Sequence, residues 1–236
     1  MKIALLGYGR MGKAVEKIAI ERGHAIVAKI DKIFEEGTLK EADVAINFSV
    51  PDAAVANIRK AFDFHIPVIC GTTGWLEHYE EIIDYCHKKK AAFLYASNFS
   101  IGVNLFFKMN EWLAKLMASH KMYTPSIEEI HHKQKLDSPS GTAISLAEGV
   151  IENSDYDAWK LNKKEVGVIP IVSKREGEIP GTHTVLYAAA DDTISITHQA
   201  HNRQGFALGA VMAAEWLQGK QGVFSMKEVL NLLEFN

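Results

Sequence analysis

A glycine-rich turn near the start of the chain is the feature that most constrains its fold. Residues 3–6 form a short apolar run, and residues 7–12 read GYGRMG, which fits the spacing G-x-G-x-x-G. A segment of helical pattern follows, then the apolar segment Ala25–Ile30, and Asp31 comes directly after it. This order of strand, turn, helix, strand and acid is typical of the first βαβ unit of a doubly wound parallel sheet.

The same turn predicts a dinucleotide site. Its glycines allow a tight turn, a close approach of the backbone to a pyrophosphate, and tight packing of the helix on the strand. Asp31 stands where such units place an acid that accepts a hydrogen bond from the adenosine ribose. Its charge disfavours a ribose 2′-phosphate, although Lys32 could offset that charge. The residues therefore favour NAD(H) and leave NADP(H) open, and a turn that needs glycine only for its shape is the alternative.

Strand and helix patterns continue to alternate up to residue 101. Strands are predicted over residues 44–48, 68–70 and 92–96, and helices over residues 51–64 and 76–89. Polar or glycine-rich loops follow these strands at residues 47–49, 71–74 and 96–99. Ligands of doubly wound sheets bind off the carboxyl ends of the strands, so the loops are expected to converge on one site. Residues 1–101 are thus predicted to form a Rossmann-type α/β dinucleotide-binding domain.

The pattern changes after Gly102. A helix is predicted over residues 105–120, and the apolar face that it is expected to turn to the core consists of Leu105, Phe106, Met109, Leu113, Leu116 and Met117. A loop is predicted over residues 155–164, and strands from about residue 126 and over 166–172, 184–190 and 193–197. This mixture without βαβ order predicts a second, α+β domain over residues 102–203. Two closing helices, over residues 206–218 and 224–233, are expected to return residues 204–236 to the first domain.

Residues 128–143 read EEIHHKQKLDSPSGTA and contain the start of a helix. Ser138 is predicted to cap this helix, and Pro139 suits its first position because the missing N–H would be unpaired there. The free N–H groups and the positive dipole end of a helix start suit an anion such as a carboxylate.

Further side chains in this stretch suit the same anion. Gly141 lets a ligand approach the backbone, and Thr142 adds a hydroxyl donor. His131 and His132 titrate near neutrality, and Lys135 adds charge and a donor. The residues alone predict an anion-binding cradle beside proton-transfer groups, with a solvated loop before an ordinary helix as the alternative.

Composition excludes some classes of partner. The 236 residues carry a formal net charge of −3, so nothing indicates bulk attraction to nucleic acid or to an anionic membrane. The first apolar run is too short for a signal peptide and no later run could span a bilayer, so a cytoplasmic location is expected. Cys70 and Cys86 are the only cysteines and have no metal-ligand spacing, so buried thiols and no metal are expected.

The chain resembles the 4-hydroxy-tetrahydrodipicolinate reductase (dihydrodipicolinate reductase) family over essentially its whole length. The motifs that carry the resemblance are GYGRMG at residues 7–12, GTTG at 71–74, SNFSIGVN at 97–104, EIHH at 129–132, KLDSPSGTA at 135–143 and GTHT at 181–184. The signature HH-x-x-K-x-D-x-PSGTA is highly specific, and its place after the glycine-rich turn adds to that.

The resemblance implies hydride transfer from NADH or NADPH to C4 of a small cyclic unsaturated dicarboxylate, giving tetrahydrodipicolinate for lysine and diaminopimelate biosynthesis. It implies proton transfer by His131 and Lys135, and substrate binding by His132, Gly141 and Thr142. It implies cofactor contacts at Gly7, Tyr8, Gly9, Arg10, Met11, Gly12, Asp31, Gly71, Thr72, Thr73, Ala96, Ser97, Asn98 and Phe99. It further implies a second domain that binds substrate and assembles a homotetramer, and it leaves the role of Arg203 open.

Two alternatives of other kinds stay open. One is another two-domain nicotinamide dehydrogenase, such as an aldehyde or homoserine dehydrogenase. Aldehyde dehydrogenases of that plan need a nucleophilic cysteine, whereas Cys70 and Cys86 fall in a predicted strand and a predicted helix. The other is a regulator that binds NAD(H) without turnover, which would not need the set of His131, His132 and Lys135.

Overall fold

The computed structural model describes residues 1–202 and 204–234. The chain divides into two compact units, one of Met1–Ile101 with Gln204–Asn236 and the other of Gly102–Arg203. Arg203, whose role the resemblance leaves open, lies outside the described residues. Within these described ranges, no helix is both long and apolar enough to cross a bilayer.

The first unit is built on a seven-stranded sheet. From one edge to the other its strands are β12 (Gly222–Phe224), β6 (Ala92–Tyr95), β5 (Val68–Cys70), β4 (Val44–Asn47), β1 (Lys2–Leu6), β2 (Ala25–Ile30) and β3 (Glu35–Gly37). All neighbours pair in parallel except β2 and β3, which are antiparallel. The main helices of the unit are α1 (Arg10–Glu21), α2 (Pro51–Asp63), α3 (Tyr79–Lys89) and α6 (Gln204–Leu217), followed by the short α7 (Met226–Val229). The predicted doubly wound α/β fold is confirmed.

The central strand β1 is buried on both faces. Ile3 and Leu5 belong to one apolar cluster with residues of α1 and α6. Ala4 and Leu6 point the other way, into a second cluster with residues of α2 and α3. Successive side chains of a strand alternate between the faces of a sheet, so a short continuous apolar run fills two cores at once.

Helix α6 approaches the backbone of the first unit very closely. A Cβ atom at Gly209, in the middle of α6, would collide with the carbonyl oxygen of Phe99. At Gly205, one turn earlier in the same helix, a Cβ atom would have the Ser100 hydroxyl as its nearest neighbour, at an ordinary 3.8 Å. The absence of a side chain at residue 209 therefore allows this contact, whereas residue 205 has room for a methyl group.

The second unit contains a mixed five-stranded sheet. Its strands in spatial order are β11 (Thr193–Ala200), β10 (Gly181–Ala188), β7 (Thr124–His131), β9 (Val168–Arg175) and β8 (Ala158–Leu161). The central strand β7 pairs antiparallel with β10 and parallel with β9. The helices of this unit are α4 (Ile101–Met117) and α5 (Gly141–Ile151). A sheet with helices but without βαβ order confirms the predicted α+β character.

Three short strands were missed by the sequence prediction. Residues 158–161, predicted as loop, form β8. Strand β12 covers residues 222–224 and so includes Phe224, the first residue of the predicted last helix. The third, β3, reads EEG and is exposed throughout. Each of them lies at an edge of its sheet, where pairing with one neighbouring strand defines it. Such pairing leaves little apolar pattern in the sequence.

The predicted apolar face of α4 is partly wrong. Phe106 and Met117 are buried, but three other predicted core residues are exposed: Leu105, Met109 and Leu116. The buried stripe of α4 includes Asn110 instead, whose amide donates to the carbonyl of Leu146 at 2.9 Å. Apolar residues occur on both sides of this helix, so periodicity alone could not select the buried side.

Replacement of Gly209 by alanine should destabilise the first unit. The added methyl group must displace backbone, and overpacking of this kind costs about 1–3 kcal/mol. The matched variant Gly205→Ala should leave the free energy of unfolding unchanged or raise it by up to about 1 kcal/mol, because alanine favours a helix over glycine. Urea unfolding followed by circular dichroism measures both. Equal stability of the two variants would contradict the close approach at residue 209.

Candidate active site

The glycine-rich turn has the geometry that a phosphate-binding turn needs. Gly7 adopts a φ of 93°, and a Cβ atom there would collide with the carbonyl of Phe48. A Cβ atom at Gly12 would collide with the carbonyl of Gly7, so the third glycine lets α1 pack against the turn. Around Gly9, by contrast, nothing lies within 4 Å of the Cβ position. The middle glycine therefore leaves its backbone open to a ligand.

Asp31 is held at the carboxyl end of β2 by two backbone groups. The N–H of Tyr8 donates to its Oδ2 at 2.6 Å, and the N–H of Lys32 donates to its Oδ1 at 2.7 Å. A carboxylate accepts about four hydrogen bonds in all, so acceptor sites remain on both oxygens. The side chain is thus oriented beside the turn and retains capacity for hydroxyl donors.

A cavity of about 450 Å³ opens beside this turn. Its wall includes the predicted residues Gly7, Gly9 and Asp31. It also includes Lys32, Ser49 of the loop after β4, and Asn57 of α2. Asn57 was not predicted, because no local pattern marks which residue of a helix faces a cavity. Among the described residues, neither 71–73 nor 96–99 belongs to the wall of this cavity.

The loops after β4, β5 and β6 nevertheless contact one another. The N–H of Ser49 donates to the buried Thr72 hydroxyl at 2.9 Å. Gly71 lies against the ring of Phe48, where a Cβ atom would collide with that ring. Phe48 in turn contacts Phe99 edge-to-face, with ring centroids 5.7 Å apart. The other predicted cofactor residues are exposed or half-buried in the turn and these loops: Arg10, Met11, Thr73, Ala96, Ser97 and Asn98.

In the second unit, strand register brings a different group of side chains together. Glu129 of β7 lies beside Ser173 of β9 and opposite His183 of β10. His131, two residues further along β7, lies beside Arg175. Alternate residues of a strand face the same side of a sheet, so these five side chains share one face.

The Glu129 carboxylate is the centre of this group. The side chain is 0% exposed. Its Oε1 accepts from the Ser173 hydroxyl at 2.6 Å and from the Arg175 guanidinium at 3.2 and 3.3 Å. The N–H of Ser140 donates to both oxygens at 3.1 Å. His183 Nε2 lies 3.7 Å from Oε2 and 3.0 Å from the Ser140 hydroxyl.

These contacts keep Glu129 ionised. Burial alone would raise the pKa of the carboxyl, but the nearby imidazoles of His131 and His183 and the hydrogen bonds from Ser140 and Ser173 outweigh burial and hold that pKa well below its usual range. For His183, burial is the dominant influence and lowers the pKa of the imidazole. A neutral His183 therefore stands next to an ionised Glu129 near neutral pH.

His131 ends β7 with its ring against this carboxylate. Its Nδ1 lies 3.3 Å from Glu129 Oε2, and its ring meets that of His183 edge-to-face with centroids 5.0 Å apart. Nδ1 is buried, and within the described part of the chain it makes no hydrogen bond of good alignment. The Glu129 carboxylate is thus within hydrogen-bonding distance of His131 Nδ1, although the two groups are not aligned for a hydrogen bond.

Lys135 is paired with a second carboxylate. Its Nζ donates to both oxygens of Asp137 at 2.8 Å. Burial would raise the pKa of Asp137, but the bond from Lys135 outweighs it and lowers that pKa. Arg175 donates to the backbone carbonyl of Asp137 at 2.6 Å, which ties this loop to β9. The lysine side chain is still about a fifth exposed, at 22%.

The start of α5 differs from its prediction. The helix begins at Gly141 and its N-cap is Ser140, whose hydroxyl accepts from the N–H of Ala143 at 3.2 Å. Ser138 does not cap the helix, and Pro139 precedes the first turn after a cis peptide bond. The Ser138 hydroxyl donates instead to a serine of β9 at 2.9 Å, which explains why the second serine takes the cap.

The capped helix start leaves two backbone donors for a ligand. The N–H of Ser140 is taken by Glu129, and that of Ala143 by the capping hydroxyl. Among the described residues, no hydrogen bond engages the N–H groups of Gly141 and Thr142. Nothing lies within 4 Å of a Cβ position at Gly141. The predicted anion-binding donors are therefore accessible at the positive end of α5.

Glu129, His131 and His183 also have ligand atoms within 4.8 Å of one another, a spacing that a metal ion could use. The carboxylate, however, already accepts from a guanidinium, a hydroxyl and a backbone N–H. A cation would have to displace or face the positive charge of Arg175. This donor set suits a hydrogen-bonded network better than a metal centre.

Several residues of this site were missed by the sequence prediction. Glu129, Ser140, Ser173, Arg175 and His183 are not among the predicted site residues. One signal was available for Glu129, since it stands two residues before His131 on the same face of a predicted strand. The others belong to different strands, and no local pattern connects them.

Two family models match the chain in sequence. The model described as "Dihydrodipicolinate reductase, N-terminus" matches residues 1–99. The model described as "Dihydrodipicolinate reductase, C-terminus" matches residues 102–230. Together they cover nearly the whole chain.

Individual relatives carry the same name. A 4-hydroxy-tetrahydrodipicolinate reductase of Christiangramia forsetii is 55% identical over 234 residues, covering 98% of each chain. One of Staphylococcus aureus is 36% identical over 240 residues, covering 95% of this chain and 98% of its own. A dipicolinate-bound dihydrodipicolinate reductase from Paenisporosarcina sp. TG-14 shares the fold, with a TM-score of 0.77, 22% identity and coverage of 95% and 97%. The chain therefore belongs to the dihydrodipicolinate reductase family.

Proposed function

We propose that this chain reduces 4-hydroxy-tetrahydrodipicolinate to tetrahydrodipicolinate with NADH or NADPH, as a step of lysine and diaminopimelate biosynthesis. Family membership supports the reaction class. The observation that carries the proposal is the group of free N–H donors of Gly141 and Thr142 in the same unit as His131 and Lys135. Such a group combines capture of a carboxylate with proton transfer.

The start of α5 would bind a substrate carboxylate. The N–H groups of Gly141 and Thr142 and the helix dipole favour an anion there. His132 is half-buried, and its Nδ1 is a buried atom with no hydrogen-bond partner among the described residues. A polar atom in that condition is stabilised by a ligand that can pair with it, which supports a role for His132 in holding substrate.

His131 and Lys135 would supply the proton transfer. A reduced nicotinamide supplies a hydride, and reduction of a conjugated ring then requires a positioned acid to quench the developing charge. Asp137 keeps the Lys135 ammonium in place. The His131 ring lies against the Glu129 carboxylate, with Nδ1 3.3 Å from Oε2, so the sheet face that carries Glu129 orients the imidazole.

The first unit would hold the cofactor. The open backbone at Gly9 and the cavity beside Gly7 suit a pyrophosphate, and Asp31 suits a ribose hydroxyl. We assign the contacting loops at residues 71–73 and 96–99 to the same cofactor site. Together with the anion-binding helix start in the second unit, this assignment makes residues 1–101 with 204–236 the cofactor domain and residues 102–203 the substrate domain.

The cysteine chemistry of an aldehyde dehydrogenase is disfavoured. Cys70 and Cys86 are buried free thiols. Burial raises the pKa of Cys70 to about 12 and that of Cys86 to about 11. The thiolate is the nucleophilic form of cysteine, so neither side chain is suited to attack a carbonyl near neutral pH.

The homotetramer and the cytoplasmic location stay predictions. Light scattering of the purified protein should give a mass about four times the 26.2 kDa of the chain. A mass equal to that of one chain would contradict the tetramer and leave the proposed reaction untouched.

Lys135→Ala should remove most of the reductase activity. The substrate would be generated from pyruvate and aspartate semialdehyde by the preceding synthase, and loss of reduced-nicotinamide absorbance would be followed. We expect kcat/KM to fall by roughly 100-fold or more, in the range that positioned acids contribute. NADH binding, measured by titration calorimetry, should persist because Lys135 belongs to the second unit.

The matched control is Lys133→Ala, which removes an exposed lysine from the same loop. It should retain wild-type kcat/KM. Tight NADH binding by the wild type without turnover with either cofactor would overturn the proposal and favour the regulator that binds NAD(H).

Asp31→Asn should shift cofactor selectivity toward NADPH. Removing the negative charge relieves its repulsion of a 2′-phosphate, which we expect to change the ratio of the two Kd values by roughly tenfold. Asp43→Asn is the control, because Asp43 also accepts a backbone N–H, from Lys2 at 2.7 Å, but does not line the cavity. Fluorescence titration with both cofactors measures the ratio. An unchanged ratio in Asp31→Asn would remove Asp31 from the ribose site.

A further inference from the structure

The buried carboxylate of Glu129 has a second consequence, for the orientation of His131. We propose that Glu129 is a positioning residue, which accepts from His131 Nδ1–H and so leaves His131 Nε2 as the atom that exchanges a proton with substrate. The catalytic part of this inference rests on the proposed reductase function. The orientation of the ring is a property of the free protein and can be measured separately.

The buried charge of Glu129 requires donors. A carboxylate that is 0% exposed has lost its hydration and is stable only where donors surround it. Arg175 and Ser173 both bind Oε1, which leaves Oε2 with the Ser140 N–H and two imidazoles nearby. An ionised oxygen in that position is a strong acceptor for an imidazole N–H.

The position of His131 brings a buried ring nitrogen close to this oxygen. Its Nδ1 is 3.3 Å from Oε2 and has no well-aligned partner among the described residues, so the carboxylate is a partner within reach for a buried donor. Hydrogen bonds at catalytic sites are often poorly aligned in the free protein and tighten when substrate binds. The other imidazole, His183, already has the Ser140 hydroxyl 3.0 Å from its Nε2.

The opposite side of the His131 ring has room at Nε2 because its neighbour on β10 is a glycine. If Nδ1 carries the proton that faces Glu129, neutral His131 has its lone pair on Nε2. Gly181 of β10 lies next to that atom, and a Cβ atom there would be 3.0 Å from Nε2. The glycine thus removes a side chain that would crowd Nε2, the nitrogen that the carboxylate leaves free.

The remaining charged and titratable groups around the ring are compatible with this role. Burial lowers the pKa of His183 on β10, so that ring does not neutralise the carboxylate. Arg175 on β9 does offset its charge, but through Oε1, which is the oxygen away from His131. Lys135, in the loop after β7, is held by Asp137. The Oε2 side of Glu129 is therefore available to His131.

The direct test is the tautomer of His131 in the wild-type protein. The chain has 10 histidines, so ¹⁵N-histidine labelling with a His131→Asn spectrum for assignment identifies its signals. We expect the Nδ1–H tautomer for the neutral ring. An Nε2–H tautomer would overturn the proposal, whether or not the protein turns over substrate and without any variant at residue 129.

The second test uses Glu129→Gln, which keeps an acceptor oxygen and removes the charge. In this variant the Nδ1–H fraction should fall, kcat should drop by roughly 10- to 100-fold, and KM for the substrate should change by less than about threefold.

The matched control is Glu128→Gln, the same change one residue earlier on the other face of β7. Glu128 is about a third exposed and pairs with Lys174 at 2.7 Å, away from the buried cluster. This variant should keep the wild-type tautomer and the wild-type kcat. If Glu129→Gln also kept the wild-type tautomer of His131, Glu129 would be a structural residue only, even with reduced activity. Absence of turnover in the wild type would instead count against the proposed function, while the tautomer would still decide the orientation.

Discussion

A carboxylate with no access to water organises the second unit. Glu129 is balanced by a guanidinium and a hydroxyl from β9 and by the backbone N–H at the cap of α5. Each of these donors is needed, because a buried charge that loses one partner keeps its full cost of dehydration. These hydrogen bonds to Glu129 therefore connect β7 to β9 and to the start of α5. The anion-binding donors of Gly141 and Thr142 and the ring of His131 are oriented by the same group.

The first unit depends on close approach of backbone rather than on charge. Its sheet is covered by helices on both faces, so the strands are short and apolar and the loops at their carboxyl ends remain for ligands. Glycines permit very close contacts at the turn around Gly7 and at Gly209 against Phe99. The polar groups predicted to bind the cofactor, such as Asp31 and Thr72, accept backbone hydrogen bonds. The two units thus orient their candidate binding groups by different physical means.

Most of the fold could be predicted because its signals are local. The order of strand, glycine-rich turn, helix and acid specifies the first βαβ unit within about 30 residues. The wrong predictions for the cap of α5 and the buried face of α4 have one cause, which is that contacts with other elements decided both. By residue type, Ser138 and Ser140 are equally suitable helix caps. In the structure Ser140 caps α5, and the Ser138 hydroxyl donates to Ser173 of β9 instead. Similarly, Leu105 and Phe106 of α4 are both apolar, and only packing decides which of them is buried.

The residues of the candidate site also fall into those that local motifs predict and those that tertiary contacts bring together. Gly7, Asp31, His131, Lys135, Gly141 and Thr142 could be proposed from the sequence alone, because each belongs to a short motif whose local geometry carries its chemistry. The surroundings of Glu129 could not, because Ser173 and Arg175 stand 44 and 46 positions away from it in the chain. Only the register of β7 against β9 and β10 brings these side chains onto one face, and register is a property of paired strands rather than of any one segment. The sequence by itself therefore determined which groups can bind an anion and move a proton. The tertiary structure decided which carboxylate faces His131, because a buried charge takes its partners from wherever the sheet places them.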